Sequence, residues 1–423
     1  MLIEFEVDNF MSIKEQQTFS LVASKNKELM DSHTFDAPLA EQSSIKLLRS
    51  AAVYGPNAGG KTNLIDALRI MREIVLKSAL EKGRGDALPV VPFKLHHETR
   101  QAPSKFQVTF IVGDIRYRYG FSATLERIIE EWLYAFPRNR IQRWFKRTWN
   151  AKEQKHHWRF GAFLTGEKTV WQKSTRDNAL FLSTAVQLNS QQLQPIYDWF
   201  KETLHCVGAA GLNPDFSASL CEAGDKMRIP DFLNTADLGI DDVRIEKEKF
   251  NPQEFPQDMP DTLKQAFIKE MEDKELYSIR TVHHGSEGES IEFDLEEESK
   301  GTQKMFSLAG PFLDSLVNGC IVFIDELGGS LHPDLVKFLI GLFNNKKTNP
   351  ANAQLVFTTH ETHMLDQTIL RRDQIWFCEK DDTQATRVFP LTDFRPRKMR
   401  ENLEAAYLSG RYGAVPYISE PQT

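Results

Sequence analysis

The chain has 423 residues, 26% of them charged and 41% apolar, a globular composition long enough for one large or two to three ordinary domains. Its net charge of −7 excludes nucleic-acid binding by the surface as a whole and confines any such contact to a local basic patch. A mean hydropathy of −0.43, with no apolar run of about 18 residues, excludes a membrane-spanning helix. The opening MLIEFEVDNF carries no basic n-region or cleavage pattern, so no signal peptide is expected. Cys206, Cys221, Cys320 and Cys378 are scattered and form no C-x-x-C, which predicts a reducing, cytoplasmic setting rather than a zinc site or a disulfide framework.

In chain order, LIEFEVDNF places Ile3, Phe5 and Val7 on one face of a strand. SAAVYGPNAGGKT reads as a short apolar strand entering a Gly-rich loop, and Leu64, Leu68, Met71 and Val75 follow at helical spacing. KFQVTFIVG and IRYRYGFSA are strands around a turn at Gly113-Asp114. Between Arg138 and Arg159 lie eight Lys/Arg and one acid, Glu153, interleaved with Trp144, Phe145, Trp149 and Trp158. TAVQLNSQQLQPIYDWFKETL is mostly helical, with Pro195 able to start a helix or break one. The proline-bearing stretch 249–263 is expected to be a surface connection. From about residue 290 four strand-like runs, IEFDLEEE, CIVFIDE, AQLVFTTH and DQIWFCEK, alternate with helices or loops, the pattern of a mostly parallel sheet with helices on its faces.

Gly55-Pro56-Asn57-Ala58-Gly59-Gly60-Lys61-Thr62 fits G-x-x-x-x-G-K-[ST] in full, between a strand and a helix. Its glycines free backbone N–H groups to curl around phosphate oxygens, and the helix start adds partial positive charge. Lys61 is expected to neutralise the β/γ-phosphates and Thr62 to ligate Mg²⁺, making this a nucleotide site. The apolar strand Ile321–Ile324 ends in Asp325-Glu326, at the carboxyl end where open α/β sheets bind ligands. Asp325 is suited to hold Mg²⁺ opposite Thr62, and Glu326 to orient and deprotonate an attacking water. LVFTTH repeats the design and brings His360 to a strand end, where it can contact a γ-phosphate.

These motifs, in this order with Ser299-Lys300-Gly301-Thr302-Gln303 between them, resemble the ATP-binding-cassette class of ATPase heads, and more closely its SMC and OLD-like branch. The resemblance implies an α/β fold: a mixed sheet lobe, a mostly parallel phosphate-loop sheet with flanking helices, and an inserted α/β middle segment. It divides the chain into 1–125 with the phosphate loop, 126–290 as an inserted arm, and 291–423 with the signature, the acidic strand and the histidine. It implies ATP and Mg²⁺ as cofactors, and a head-to-tail homodimer in which Ser299 and Gly301 cap the partner's γ-phosphate. A higher oligomer is compatible with it. The helix after the signature is expected to start near Met305, and Gly329-Ser330-Leu331-His332 falls where the class has its D-loop. Three departures stand out: no assignable Q-loop glutamine, no second glycine after Gly301, and no segment long enough for a coiled-coil arm.

RRDQIWFCEKDD, FPLTDFRPRK, LEAAYLSGRYGAVPYI and TRDNALFLSTAVQLN are similar to compact ATPases of the RloA and AbiLi type, and to the ATPase of the PARIS phage-defence system. That likeness implies a cytoplasmic bacterial ATPase paired with a separate, nuclease-like effector protein. The alternative is an ATP-dependent nucleic-acid clamp or nuclease using 138–159. Against it stands a hairpin in which Trp144 and Trp149 pack inward while the charges face water. Arg176 and Asn178, like Arg411-Tyr412-Gly413, could touch nucleotide or partner, or serve as structural ion pairs. Glu379, Asp381 and Asp382 are expected to form an exposed turn rather than a metal-nuclease site.

Overall fold

The computed structural model describes residues 1–40, 43–208, 213–222, 228–248, 276–397 and 401–416. Strands β1 (Leu2–Asp8) and β2 (Gln17–Ser20) are an antiparallel pair, and β3 (Thr34–Leu39) and β4 (Ser43–Leu48) form a separate two-stranded sheet. β5 (Ser50–Tyr54) leads into the helix Lys61–Lys77. A meander follows: β6 (Ser104–Val112), β7 (Ile115–Ala123), β8 (Ile128–Phe136), β9 (Gln142–Asn150) and β10 (Lys155–Phe160). Short helices at Lys168–Ser174, Phe181–Gln187 and Gln194–Asp198 precede β11 (Leu204–Val207). Next come β12 (Asp242–Glu248), β13 (Leu276–His284), β14 (Ser290–Asp294) and the helix Lys300–Asn318. β15 (Ile321–Ile324), the helix Pro333–Phe343, β16 (Gln354–Thr358), β17 (Ile375–Lys380), β18 (Thr386–Pro390) and the helix Leu403–Leu408 complete the described chain.

Two large sheets share one core. The first has the order β10-β9-β8-β7-β6-β1-β2 and is antiparallel throughout; the second has the order β11-β15-β16-β5-β17-β18, parallel except for the β17–β18 hairpin. Every residue of β5, β15 and β16 is buried, as parallel strands covered on both faces require. The helix Lys61–Lys77 packs against β1, β6 and β11, burying Leu64, Leu68, Met71 and Val75 at the spacing read from the sequence. Each such side chain contributes about 1.5–3 kcal/mol. Phe19 of β2 meets Phe323 and Trp376, tying the two sheets together at that edge. The mixed α/β class expected from the sequence is the one observed.

The chain separates into two compact units: Met1–Ala210 with Ser315–Gly329 and Val336–Thr423, and Gly211–Asp314 with Ser330–Leu335. The first carries both large sheets. The second holds the antiparallel sheet β12-β13-β14 and most of the helix Lys300–Asn318. In that helix Pro311 cannot donate, and Ser217 mends the break by donating to the Phe306 carbonyl at 2.7 Å and accepting from the Gly310 N–H at 3.0 Å.

Residues 126–290, expected as an inserted segment, contribute to three sheets: β8–β10 extend the first, β11 borders β15, and β12 and β13 belong to the second unit. IEFDLEEE, expected among the runs of a mostly parallel sheet, lies instead in the antiparallel sheet next to β13. Its five strand residues are all exposed, so no burial demands a place in the parallel core. The stretch 249–263 falls outside the described residues. Among the described residues no helix is long and apolar enough to cross a membrane.

Candidate nucleotide site

Two glycines of the phosphate loop are dictated by space. A Cβ on Gly55 would sit 2.1 Å from the Cys378 carbonyl oxygen, and one on Gly60 would sit 2.1 Å from Thr386 Oγ1; Gly60 also takes φ +104°. Thr386 buttresses the loop further. Its hydroxyl lies 3.1 Å from the Gly59 carbonyl and 2.7 Å from Ser12 Oγ, which accepts from Asn63 Nδ2 at 2.5 Å. Asn57 is exposed at the crest of the loop.

Lys61 is buried and donates to the Gly55 and Pro56 carbonyls at 2.8 and 3.1 Å. Burial lowers its pKa, while the nearby Cys378, Asp325 and Glu326 work in the opposite direction. Asp325 sits at the end of β15 with both oxygens engaged: Thr62 Oγ1 donates to Oδ2 at 2.7 Å and Thr358 Oγ1 to Oδ1 at 2.6 Å. The same Thr358 oxygen accepts from the Glu326 N–H at 2.7 Å. Glu326 adopts φ +55°, uncommon for a non-glycine residue, and its side chain is exposed. The Thr358 clamp thus fixes one carboxylate inward and turns the next one outward.

His360 follows at the end of β16. Partial burial lowers its pKa and the Lys61 charge adds to the effect, against the pull of Glu326, Asp325 and Glu361, so the imidazole is neutral at pH 7. Lys61, Thr62, Asp325, Glu326 and His360 are therefore assembled around one strand-end crevice of the first unit. The pairing of a hydroxyl with a carboxylate, Thr62 with Asp325, is the hard-oxygen donor set that suits Mg²⁺.

Ser299 and Gly301 lie in the second unit. Ser299 caps the helix Lys300–Asn318: its Oγ accepts from the Thr302 N–H at 3.1 Å and lies 2.8 Å from Thr302 Oγ1. Gln303 reinforces the turn by donating to the Glu298 carbonyl at 2.7 Å. These bonds start the helix at Lys300, a full turn before the expected Met305. Ser330, in the expected D-loop, takes φ +66°.

Several other candidates are structural. Arg176 donates to the carbonyls of Ser78, Ala79 and Lys82, closing the end of the phosphate-loop helix, and Asn178 donates to those of Gly83 and Asp86. Arg411 pairs with Glu401 at 2.9 Å, which also accepts from the Tyr412 hydroxyl. Glu379 accepts from the Ala414 N–H, while Asp381 Oδ1 accepts from Thr383 and Ala385 and shapes the β17–β18 turn. The basic stretch is the expected hairpin β9–β10, with one correction. Arg147 is fully buried against Glu131 at 3.0 Å, whereas Trp149 is only half-buried, under Arg127. Trp149 shares the parity of the buried Phe145 and Arg147 but is the next-to-last residue of its strand, while Trp144 is buried beside Phe145 where the pairing with β8 shifts register.

Sequence reasoning gave no role to Thr358, Thr386 or Ser12. Thr358 stood in plain view beside His360, but its bond to Asp325 joins residues 33 apart, and the Ser12–Thr386 contact joins residues 374 apart.

The buried parallel strand, its Gly-rich turn and the hydroxyl–carboxylate pair across the sheet put this chain among the P-loop nucleotide-binding proteins. Residues 50–366 match the family described as "AAA domain, putative AbiEii toxin, Type IV TA system", and the chain belongs to that family. Among solved structures it is similar to the SMC head domain from Thermotoga maritima, at 11% identity and TM-score 0.39, covering 92% of this chain and 98% of that one. It is also similar to the recombination mediator protein RecF with ATP, of the RecFOR pathway, at 13% identity and TM-score 0.28, covering 85% and 93%. No curated protein matches it.

Proposed function

We propose that the protein binds and hydrolyses ATP as a nucleotide-dependent homodimer and that this cycle controls a separate effector in anti-phage defence, as the family's name and the likeness to RloA, AbiLi and PARIS ATPases suggest. The observation that supports it is the bond chain Thr62–Asp325–Thr358–Glu326, which holds a cation-binding pair and an outward carboxylate in fixed relation. Lys61 moves its bonds from the loop carbonyls to phosphate oxygens. Thr62 and Asp325 would hold Mg²⁺, which would supply positive charge beside the phosphates. Glu326 orients water and takes its proton, His360 contacts the γ-phosphate as a neutral imidazole, and Ser299 with Gly301 completes the partner's site.

The test is the mass in solution of Glu326→Gln with and without Mg-ATP, beside Ser299→Arg in the same background. ATP is expected to double the mass of the first protein only. Glu326→Gln is further expected to lower phosphate release by about 10²-fold or more. ATP binding with unchanged mass would remove the role in trans of Ser299.

A further inference from the structure

A cavity of about 620 Å³ in the first unit lies past the far end of the phosphate-loop helix. That helix, Lys61–Lys77, has 17 residues and so runs about 25 Å, which keeps the cavity apart from a nucleotide seated on Lys61 and Thr62. Three segments line it: 84–87 beyond the helix, 125–127 between β7 and β8, and 173–178. Each is tied to the others. Asn178 donates to the Gly83 and Asp86 carbonyls at 2.8 and 3.0 Å. The Leu88 N–H donates to the Leu125 carbonyl, and the Ile128 N–H to the Asp177 carbonyl, both at 2.8 Å. The cavity is thus built by the fold and needs no ligand to shape it.

Its charges are unbalanced. Arg84, Arg127, Lys173 and Arg176 line it, against Glu126 and Asp177. Glu126 lies 3.6 Å from Arg127, and those two offset each other. Asp177 lies 3.5 Å from His156. Arg84 and Lys173 are exposed and have no hydrogen bond or ion pair among the described residues. Arg176 is fixed differently: its Nη2 donates to the carbonyls of Ser78, Ala79 and Lys82, and it meets no carboxylate among the described residues. Those bonds cover the carbonyls at the negative end of the helix, which would otherwise repel an anion. They also leave the guanidinium charge uncompensated, because carbonyls are neutral. One fixed and two free cations around a closed cavity match the several oxygens of a phosphate group. The volume is that of a small-ligand site. Glu126 and Asp177 interrupt the continuous positive track that a nucleic-acid backbone requires.

We propose that this cavity is a second anion site, which takes a small phosphate-bearing ligand between the free Arg84 and Lys173 and the fixed Arg176. The test is a calorimetric titration of inorganic pyrophosphate into the full chain carrying Lys61→Met, so that the phosphate loop does not compete. One pyrophosphate is expected to bind per chain. Adding Arg84→Glu and Lys173→Glu is expected to weaken it about 100-fold, roughly tenfold for each reversed charge. Both positions are exposed, so an unchanged midpoint in urea is expected and shows that the loss is not misfolding. If the reversals do lower the midpoint, Arg84→Gln with Lys173→Gln must still weaken binding about tenfold. No binding to the Lys61→Met protein, or binding that survives the substitutions, overturns the site. A single-stranded oligonucleotide of about ten nucleotides that binds more tightly than pyrophosphate, and is lost with the same reversals, overturns the small ligand in favour of a nucleic-acid backbone. Neither arm needs ATP, so the site stands or falls apart from the nucleotide reading.

Discussion

Lys61 and Arg147 are both buried cations of the first unit, yet one is paired with a carboxylate and the other is not. Arg147 faces Glu131 at 3.0 Å, donates to the Ala179 carbonyl and lies over the Trp158 ring. Glu131 also accepts from the Tyr119 hydroxyl and from the N–H groups of Phe181 and Leu182, at the start of a helix. Among the described residues, Lys61 has only the two loop carbonyls within hydrogen-bonding distance. A buried cation closed off by a carboxylate is finished structure. One held by neutral carbonyls keeps its charge available to an incoming anion, as a phosphate-binding group must.

That contrast can be broken experimentally. Glu131→Ala strands the Arg147 charge and two helix N–H groups, so it is expected to cost about 3–5 kcal/mol in urea unfolding. Lys61→Met is expected to change unfolding by less than about 1 kcal/mol while weakening Mg-ATP binding by roughly two orders of magnitude in a titration. Equal destabilisation by the two substitutions would erase the distinction.

His156, beside the Arg147 pair, sharpens it. Burial pushes its pKa down to about 3, with Arg147 and Arg127 adding to the shift, although Asp177 lies 3.5 Å away. Between pH 6.5 and 3 the unfolded chain holds a proton that the folded chain does not, so stability falls as pH drops through that window. His156→Phe is expected to remove roughly 1–2 kcal/mol of that acid loss, read as a shallower dependence of the unfolding midpoint on pH.

The phosphate loop, Asp325-Glu326 and His360 were legible because each is a run of adjacent residues at the end of an apolar strand, where short-range pattern and function coincide. The parallel core was legible for the same reason, in the all-apolar β15 and the Leu355-Val356-Phe357 run of β16. What stayed hidden depends on distant partners. In β9, QRWFKRTWN offers cations and aromatics on both parities, and a register shift between Leu133 and Tyr134 in its pairing with β8 lets adjacent Trp144 and Phe145 both be buried. Only Glu131, across the sheet, explains why Arg147 faces inward. IEFD misled in the opposite way: its alternation is that of a strand, but alternation does not say which sheet the strand joins.

The carbonyl of Cys378 backs Gly55 and Gly59, and its thiol is sealed in the same layer. Burial raises that thiol, and the one on Cys206, to about 12. At neutral pH only on the order of one molecule in 100,000 then carries a thiolate at either position. Alkylating reagents and mild oxidants thus have almost no nucleophile to meet behind the loop, and a cysteine introduced at an exposed position can carry a fluorescent label while these two native thiols remain in place.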